Sequence, residues 1–509
     1  MRTAIVWHRR DLRVEDHPAL AAAAAWAERV VPVFVLDDAI LHHPSTCPGR
    51  VRYLCESLSD LSDAYRRLGG RLILRRGVPH EELLKLAREC GATRVWYHRD
   101  TDRWYGRERD RLLQERLGSA LEAVTLGDNG VFDGEDSRVR WGERWEAAMR
   151  LPRAEVPGFL ATPPDLFSLP IPDNDALGVP VSDYERTTPG GARWAKFRLA
   201  KWVDGATNHG GIDRYGANVG RPAACEDGAT SRLSAPLSFG CISLRTVVQA
   251  ERERRNATPS RGRELWASRL AWHDHFTQKL RDFPEAQHRS VNPVYDSIRQ
   301  DVDPVRFEQW TTGATGFPLV DASMRALRRT GFLNFRMRAM VASFWTYLMW
   351  QPWQVGAEWF QRNLIDFDTA INQEQWQMQA GTVGWHANRF YDPVLQATKF
   401  DPEGTFIDRY CPELAKLPLE AKAAPWKADP LVLRAAGVVL GETWPMPVLE
   451  RATAVRRARR ELAALAPAAR AFLATEEGKR RASGARDRPL PDSAKGAKPR
   501  AQLTFDLDE

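Results

Sequence analysis

The chain has 509 residues, 43% of them hydrophobic, enough for two or three domains with real cores. Its six cysteines (Cys47, Cys55, Cys90, Cys225, Cys241 and Cys411) stand far apart with no CxxC, which argues against zinc and iron–sulfur centres and a disulfide scaffold and fits a reducing cytoplasm. No run of about 18 apolar residues suggests a membrane span, the opening MRTAIVWHRRDLR is too weakly apolar for a signal peptide, and the net charge of +7 sits mainly in residues 451–509 (14 Lys/Arg against 8 Asp/Glu), so any nucleic-acid face on the near-neutral body must be a local patch.

Residues 1–130 alternate apolar strand-like runs with helical stretches. Strands are predicted over 3–7, 30–36, 71–74, 94–97 and 123–126, and helices over 18–27, 50–68, 80–90 and 106–117. This alternation gives parallel strands with crossover helices, a doubly wound α/β domain. No GxGxxG follows the first strand, so nothing supports a dinucleotide site there. Residues 131–190 read as an interdomain connector, rich in Pro, Asp and Gly from about 150 onward. Residues 191–450 read as helix after helix, an all-α domain. In the tail, 450–475 is Ala/Arg-rich and predicted helical, whereas 476–500 has too little apolar content to fold. No internal repeat is present.

Most of the functional signal lies in residues 331–407, a Trp-rich helical stretch in a chain with 19 Trp against 10 Tyr. A polar group planted among indoles serves a ligand or a partner charge, because burial strips its water. On a helix predicted over 334–350, Arg336 and Arg338 point to different faces. Arg338 shares the inward side with Val341, Ala342 and Trp345, where a guanidinium requires a carboxylate or a ligand; Arg336 can face a cleft or solvent. In LIDFDTAIN, Asp366 and Asp368 follow an apolar helix end and can accept a ring N–H or a ribose hydroxyl while pairing with Arg338. Upstream, GATSRLS (228–234) offers Thr230, Ser231 and Ser234 at a helix start, which suits a phosphate or an ordinary cap. The set suits a large, flat, redox-active cofactor with polar edges beside oxidisable aromatics, and flavin is the candidate.

With VWHRRDLRVEDHPAL at the N-terminus, then RLSAPLSFGCIS, TGFPLVDASMRAL, GFLNFRMRAM, DFDTAIN–QEQWQ and YDPVLQATKFDPEGTFI in that order, the chain resembles the DNA photolyase/cryptochrome family over nearly all of residues 1–450. The resemblance implies an α/β antenna domain (1–130), the connector, and a helical domain (191–450) holding a U-shaped FAD. It implies that Tyr215, Thr230, Ser231, Arg232, Leu233 and Ser234 hold the FAD phosphates, with His273 where the family has a phosphate-assisting arginine. Asp366 and Asp368 would hold the isoalloxazine and ribose, and Arg338 would pair with Asp366. Asn372 falls opposite flavin N5, where asparagine supports a fully reduced flavin and plant-type cryptochromes carry aspartate. Trp376 and Trp353 match the proximal and middle members of the electron-transfer chain. The third position falls on Gln300, which leaves Tyr295, Trp345, Trp350 and Trp359 as alternatives.

The substrate side departs from the family pattern. Trp272 occupies an expected aromatic position, but the carboxylate expected three residues earlier is Arg269. Phe335 stands for an asparagine beside Arg336, Met378 for a second pocket tryptophan and Ala339 for a methionine; Gln396 completes the substrate-facing set. The implied activity is blue-light-driven, FAD-dependent repair of cyclobutane pyrimidine dimers by a carbon–carbon lyase, with Trp272 stacking on the lesion and Arg336 facing DNA. The paired histidines of the (6-4) subclass would fall at Asn334 and Ala339. A cryptochrome-like photoreceptor uses the same flavin and tryptophans and remains the alternative.

The implied partner is DNA carrying UV lesions, bound by a cytoplasmic monomer without a metal. A second antenna chromophore is left open: Tyr105 and Gly106 replace the Asn–Glu pair of a folate-binding subclass, and PGRVRY (48–53) suits either a deazaflavin or flavin site or an ordinary helix start. At the end of the tail, residues 502–507, Gln502 to Leu507, resemble the glutamine–leucine peptides that dock on bacterial sliding clamps, or form an incidental amphipathic terminus.

Overall fold

The computed structural model describes residues 1–100, 104–118, 121–127, 130–134, 136–180, 184–185, 188–257, 259–383 and 390–482. Strands β1 (Thr3–His8), β2 (Arg29–Leu36), β3 (Ile73–Arg76), β4 (Arg94–His98) and β5 (Glu122–Leu126) form one sheet in the order β3-β2-β1-β4-β5, with every neighbouring pair parallel. Helices α1 (Pro18–Trp26), α2 (Pro48–Arg67), α3 (Pro79–Cys90) and α4 (Trp104–Leu117) make the crossovers. Each of the first three carries proline in its first turn, where the missing N–H costs nothing. Along β1, Ala4 and Val6 enter one core while Ile5 and Trp7 enter another, so both sheet faces are covered, as a continuous apolar strand requires.

β3 begins two residues later than predicted. The Arg71 N–H is taken by Thr162 Oγ1 at 3.2 Å, and its side chain reaches the carbonyl of Pro164, so residue 71 pairs with the connector and not with β2. At the end of β1, beside β4 where the strand order reverses, Arg9 lies 4.6 Å from the Trp7 ring and 5.0 Å from that of Tyr97, and pairs with Asp110.

The remainder is mostly helical. The elements that matter below are α5 (Arg261–Asp282), α6 (Pro318–Thr330), α7 (Phe335–Ser343), α8 (Trp353–Asn363), α9 (Thr369–Ala380), α10 (Pro393–Phe400) and α11 (Arg451–Ala474). Their ends follow from local chemistry. Ser260, Asn334 and Asp368 accept N–H groups of the first turns of α5, α7 and α9, while Gly331 and Gly381, at φ 66° and 71°, stop α6 and α9. The helix predicted over 334–350 is interrupted: after Ser343 the chain runs as a π-helical segment, Phe344–Leu348, and turns at Trp350 with φ 58°. Thr346 donates its hydroxyl to the Ala342 carbonyl at 2.8 Å, a side-chain bond that competes with the α-helical ladder.

α11 matches the helix predicted over 450–475. The expectation that nothing folds from 476 on is corrected for its first residues: Glu476–Ala482 is a short helix held by Arg481, which bonds Glu285 at 3.2 Å and lies 5.9 Å from the Phe283 ring. Charge and cation–π contacts supply there what apolar content does not. Residues 483–509, with the clamp-like 502–507, lie outside the described residues. Among the described residues no helix is long and apolar enough to cross a membrane.

The loop after β1 ties the α/β domain to the helices. The Leu12 N–H donates to the Phe239 carbonyl at 3.2 Å and Arg13 Nη1 to the Gly240 carbonyl at 3.1 Å. PGRVRY opens α2 and belongs to the same joint: Arg50 donates to the carbonyls of Gln361 and Leu364 at 2.6 and 3.0 Å, and Arg52 to that of Tyr184.

Candidate functional site

α5, α7, α9, the 228–234 loop and the turn between α8 and α9 wall a cavity with about 1700 Å³ of atom-free space, its open mouth included. Tyr215, Thr230, Ser231, Arg232, Leu233, Ser234, Arg269, Trp272, His273, Phe335, Arg338, Asp366, Asp368, Asn372 and Trp376 all line it, as do Asn334 and Ala339.

At one end the 228–234 loop is turned by Arg198, which donates to the carbonyls of Thr230 and Ser231 at 3.0 and 3.4 Å. Arg232 holds a left-handed backbone (φ 55°), and its guanidinium carbon sits 3.5 Å from the Phe332 ring centre. Its Nη1 is buried with no hydrogen-bond partner among the described residues, and the hydroxyls of Thr230 and Ser234 are likewise unused. Burial pushes the Arg232 pKa down to about 10, with Asp366 and Glu226 drawing it back up. A strained cation with an unsatisfied N–H beside free hydroxyls is a site for an anionic group.

Across the cavity, Arg338 Nη2 donates to both oxygens of Asp366 at 3.0 and 2.8 Å, and Nε to the Leu333 carbonyl at 2.8 Å. Asp368 caps α9 by accepting the Ile371 N–H at 3.0 Å and takes Arg10 Nη2, from the α/β domain, at 2.9 Å. Burial raises the Asp368 carboxyl, but Arg10, His273 and the Ile371 N–H outweigh it and hold the group below the usual carboxylate range. His273 is the converse case. Burial lowers it, yet Asp274, 3.1 Å from Nδ1, and the charge of Asp368 raise it overall. Asp274 is fixed in turn by the Gly130 N–H at 2.8 Å and the Trp145 indole N–H at 3.0 Å.

Asn372 spends its amide hydrogens on the Ala357 carbonyl (3.2 Å) and Gln373 Oε1 (3.1 Å). Gln373 donates its own amide to the Gln287 carbonyl at 2.7 Å, so its oxygen must accept, and this orients Asn372 with Oδ1 left over for the cavity. Trp376 is 2% exposed, edge-on to Phe360 at 5.0 Å and to Trp310 at 6.1 Å; Trp310 lies 4.9 Å from Trp345. The close approach of α8 and α9 depends on Gly356, where an added Cβ would fall 2.3 Å from Trp376 Cη2. Trp353, at the start of α8, donates its indole N–H to Ser290 Oγ at 3.4 Å and borders a different cavity. Trp350 lies between the guanidinium groups of Arg299 (4.8 Å) and Arg457 (5.5 Å), which disfavours a positive hole on its ring.

The substrate-side residues divide. Trp272 is half-buried at the cavity, 5.1 Å from the His275 ring and 5.3 Å from that of Phe276. Arg269 hydrogen-bonds the Tyr215 hydroxyl, and half-buried Phe335 opens α7. Met378 packs with Trp272 on the small core of Phe276, Leu280 and Phe283 and does not line the cavity. Gln396, on α10, is also off the cavity, with Oε1 buried and unpaired among the described residues. The expectation that Arg336 faces a cleft or solvent is corrected: it is 3% exposed, 4.5 Å from the Phe400 ring and 5.4 Å from that of Tyr391, because α10 covers its side of α7. Below Trp272, Lys279 and Glu374 form a buried ion pair at 2.6 Å that joins α5 to α9.

Two participants escaped the sequence reading. Arg10 reaches Asp368 from the other domain. Gln375 lines the cavity with a buried Oε1 that has no hydrogen-bond partner among the described residues; its place one position before Trp376 was an available signal.

The residues fit FAD: an unsatisfied arginine N–H and free hydroxyls at one end for phosphates, Asp368 held ionised and Asp366 paired with Arg338 for ring and ribose donors, and an amide oxygen and an indole at the other. Residues 266–464 match the family model of the FAD binding domain of DNA photolyase, and residues 4–138 that of DNA photolyase. The chain is 34% identical over 478 residues to a deoxyribodipyrimidine photo-lyase of Streptomyces griseus (90% of this chain, 98% of that protein). It is 30% identical over 489 residues to a cryptochrome DASH of Natronomonas pharaonis (88% and 98%). In structure it is similar to an archaeal photolyase from Sulfolobus tokodaii with two FAD molecules, at a TM-score of 0.74 and 25% identity over 91% of this chain and 100% of that one. The sequence blocks, the parallel sheet joined to a helical domain and a cavity whose lining fits FAD thus have one account: the chain belongs to the DNA photolyase/cryptochrome family of flavoproteins.

Proposed function

We propose that this protein repairs cyclobutane pyrimidine dimers in DNA, using blue light to drive an electron from reduced FAD into the lesion. The observation that carries this reading is the orientation of Asn372. With both amide hydrogens committed, it presents an acceptor to the cavity, which favours a protonated ring nitrogen and hence the reduced cofactor. Bound FAD supplies the light absorption and the transferable electron. Around it, Arg232, Thr230, Ser231 and Ser234 hold the phosphates, Asp366 and Asp368 fix the ring and ribose edges, and Trp376 and Trp353 refill the cofactor with electrons. Trp272 and Phe335, half-buried at the cavity, are the surfaces on which an unstacked pyrimidine pair would rest. A second chromophore on the α/β domain is part of this reading, supported by the two FAD molecules of the archaeal relative. The clamp-like 502–507 would tether the enzyme to replicating DNA, and pull-down by a bacterial clamp with and without residues 501–509 tests that.

Arg269 supports a second reading. A cation engaged with Tyr215 replaces the acceptor expected to grip the lesion, and a cryptochrome DASH is among the relatives, so a blue-light photoreceptor is the competing role. The deciding experiment gives photoreduced protein a thymine dimer in single- and double-stranded oligonucleotides, with a dark control. Light-dependent return of intact thymines establishes repair. Absence of repair, with FAD bound and photoreduction intact, favours the photoreceptor.

A further inference from the structure

A second cavity opens where Trp353 borders solvent-side loops, with about 720 Å³ of atom-free space, its mouth included. Trp353 is 4% exposed and lines this cavity, so a molecule bound there would lie against the one small part of the indole that is accessible. The other walls include Tyr295, Arg299, Gln300 and Gln354; Gln300 and Gln354 are exposed, at the mouth.

Arg299 is the unusual member. It is 8% exposed and held in a left-handed backbone at φ 56°. It donates to the carbonyls of Thr346 and Ala380 at 3.2 and 2.8 Å and stacks 4.8 Å from Trp350, but no carboxylate pairs with it among the described residues. Burial lowers its pKa to about 10, still far above neutrality, so the charge persists. Asp296, the acid on the same wall, accepts the Ser290 N–H through one oxygen at 2.9 Å, while its other oxygen faces Arg289 at 3.6 Å and has no hydrogen bond among the described residues. A buried cation without a counter-charge, lining a cavity, calls for an anion.

We infer that this cavity binds a small anionic one-electron donor, such as an enediolate, which reduces oxidised Trp353 directly. The inference rests on the reading that Trp353 passes electrons through Trp376 to the flavin. One electron then leaves the bound enediolate for the indole radical cation and restores neutral Trp353. The enediolate loses its remaining hydroxyl proton to water and departs as a radical anion through the mouth. The donor thereby takes the place of a terminal aromatic, which Gln300 cannot supply.

Ascorbate is the probe. In the dark, equilibrium dialysis of labelled ascorbate against FAD-loaded protein should find one saturable site. Gln300→Phe and Gln354→Phe, two exposed positions filled without adding an oxidisable ring, should each weaken it at least about tenfold, whereas Gln300→Ala should not. Uncharged dithiothreitol should bind on the order of tenfold less tightly than ascorbate, since Arg299 attracts charge. After a flash, the decay of the tryptophan radical should level off with rising ascorbate in the parent protein and rise linearly in the filled variants. A linear dependence in the parent, or filled variants that match it in both measurements, overturns the inference. Saturable dark binding with no tryptophan radical would instead remove the relay reading, and with it the donor role, while leaving an anion site.

Discussion

Replacing Glu374 by Gln should destabilise the helical domain out of proportion to the small change in shape. Lys279 and Glu374 are 5% and 2% exposed, 2.6 Å apart, and bind α5 to α9, the helices that carry Trp272 and His273 on one side and Asn372 and Trp376 on the other. Glu374→Gln leaves a buried ammonium facing an amide, which costs about 3–5 kcal/mol when a buried pair loses one member. Burial already lowers the Lys279 pKa, against the opposing pull of Glu374, and removing that pull lowers it further. A base with a depressed folded pKa destabilises the fold while it is protonated, so the penalty is largest near neutrality and relaxes as pH rises and Lys279 sheds its proton. The double change Lys279→Met/Glu374→Leu removes both charges and should return to within about 1 kcal/mol of the parent. Denaturant unfolding of each variant at neutral and alkaline pH measures all three terms. A single variant within about 1 kcal/mol of the parent at pH 7, or a double variant as unstable as the single one, refutes the argument that this pair is energetically coupled and dry.

At the phosphate end, Arg232→Ala should weaken FAD by about 1.5–3 kcal/mol, the worth of a hydrogen bond to a charged group, read as roughly a 10- to 150-fold rise in Kd by dialysis. His273 gives a pH signature: Asp274 and Asp368 raise it above 6.5 despite burial, so its stabilisation is complete below that value and is lost as pH rises through the higher folded pKa. Thermal stability should therefore fall as pH rises above about 6.5, with a shallower slope in His273→Asn. Trp272→Ala should cost about 1–3 kcal/mol of lesion binding, roughly 5- to 150-fold in Kd by gel shift, with undamaged DNA bound as before.

The α/β half was legible because its signals are local. Apolar runs of strand length and prolines at helix starts name each element, and burial on both faces of TAIVWH is the expected mark of a parallel strand. The errors lie where a side-chain hydroxyl, distant or local, takes a backbone group the pattern assigned to the ladder. Arg71 looks like the start of a strand until the connector claims its N–H, and 334–350 looks like one helix until the Thr346 hydroxyl takes the Ala342 carbonyl. Arg336 was placed correctly on the face opposite Arg338, yet periodicity cannot tell that α10 lies over that face and buries it.

The site was legible to the extent that its residues announce themselves in short motifs, and illegible where two motifs meet. Asp366, Asp368 and Arg338 sit in one Trp-rich stretch, and their mutual need for counter-charge is readable from the sequence. That Asp368 stays ionised, however, depends on Arg10, 358 residues away, whose guanidinium also grips the Ser238 carbonyl at 2.7 Å. The α/β domain is therefore part of the cofactor site's electrostatics as well as its neighbour. Two segments that look like separate modules in composition share one charge network, and a change in how they dock alters the protonation of a group that lines the cavity.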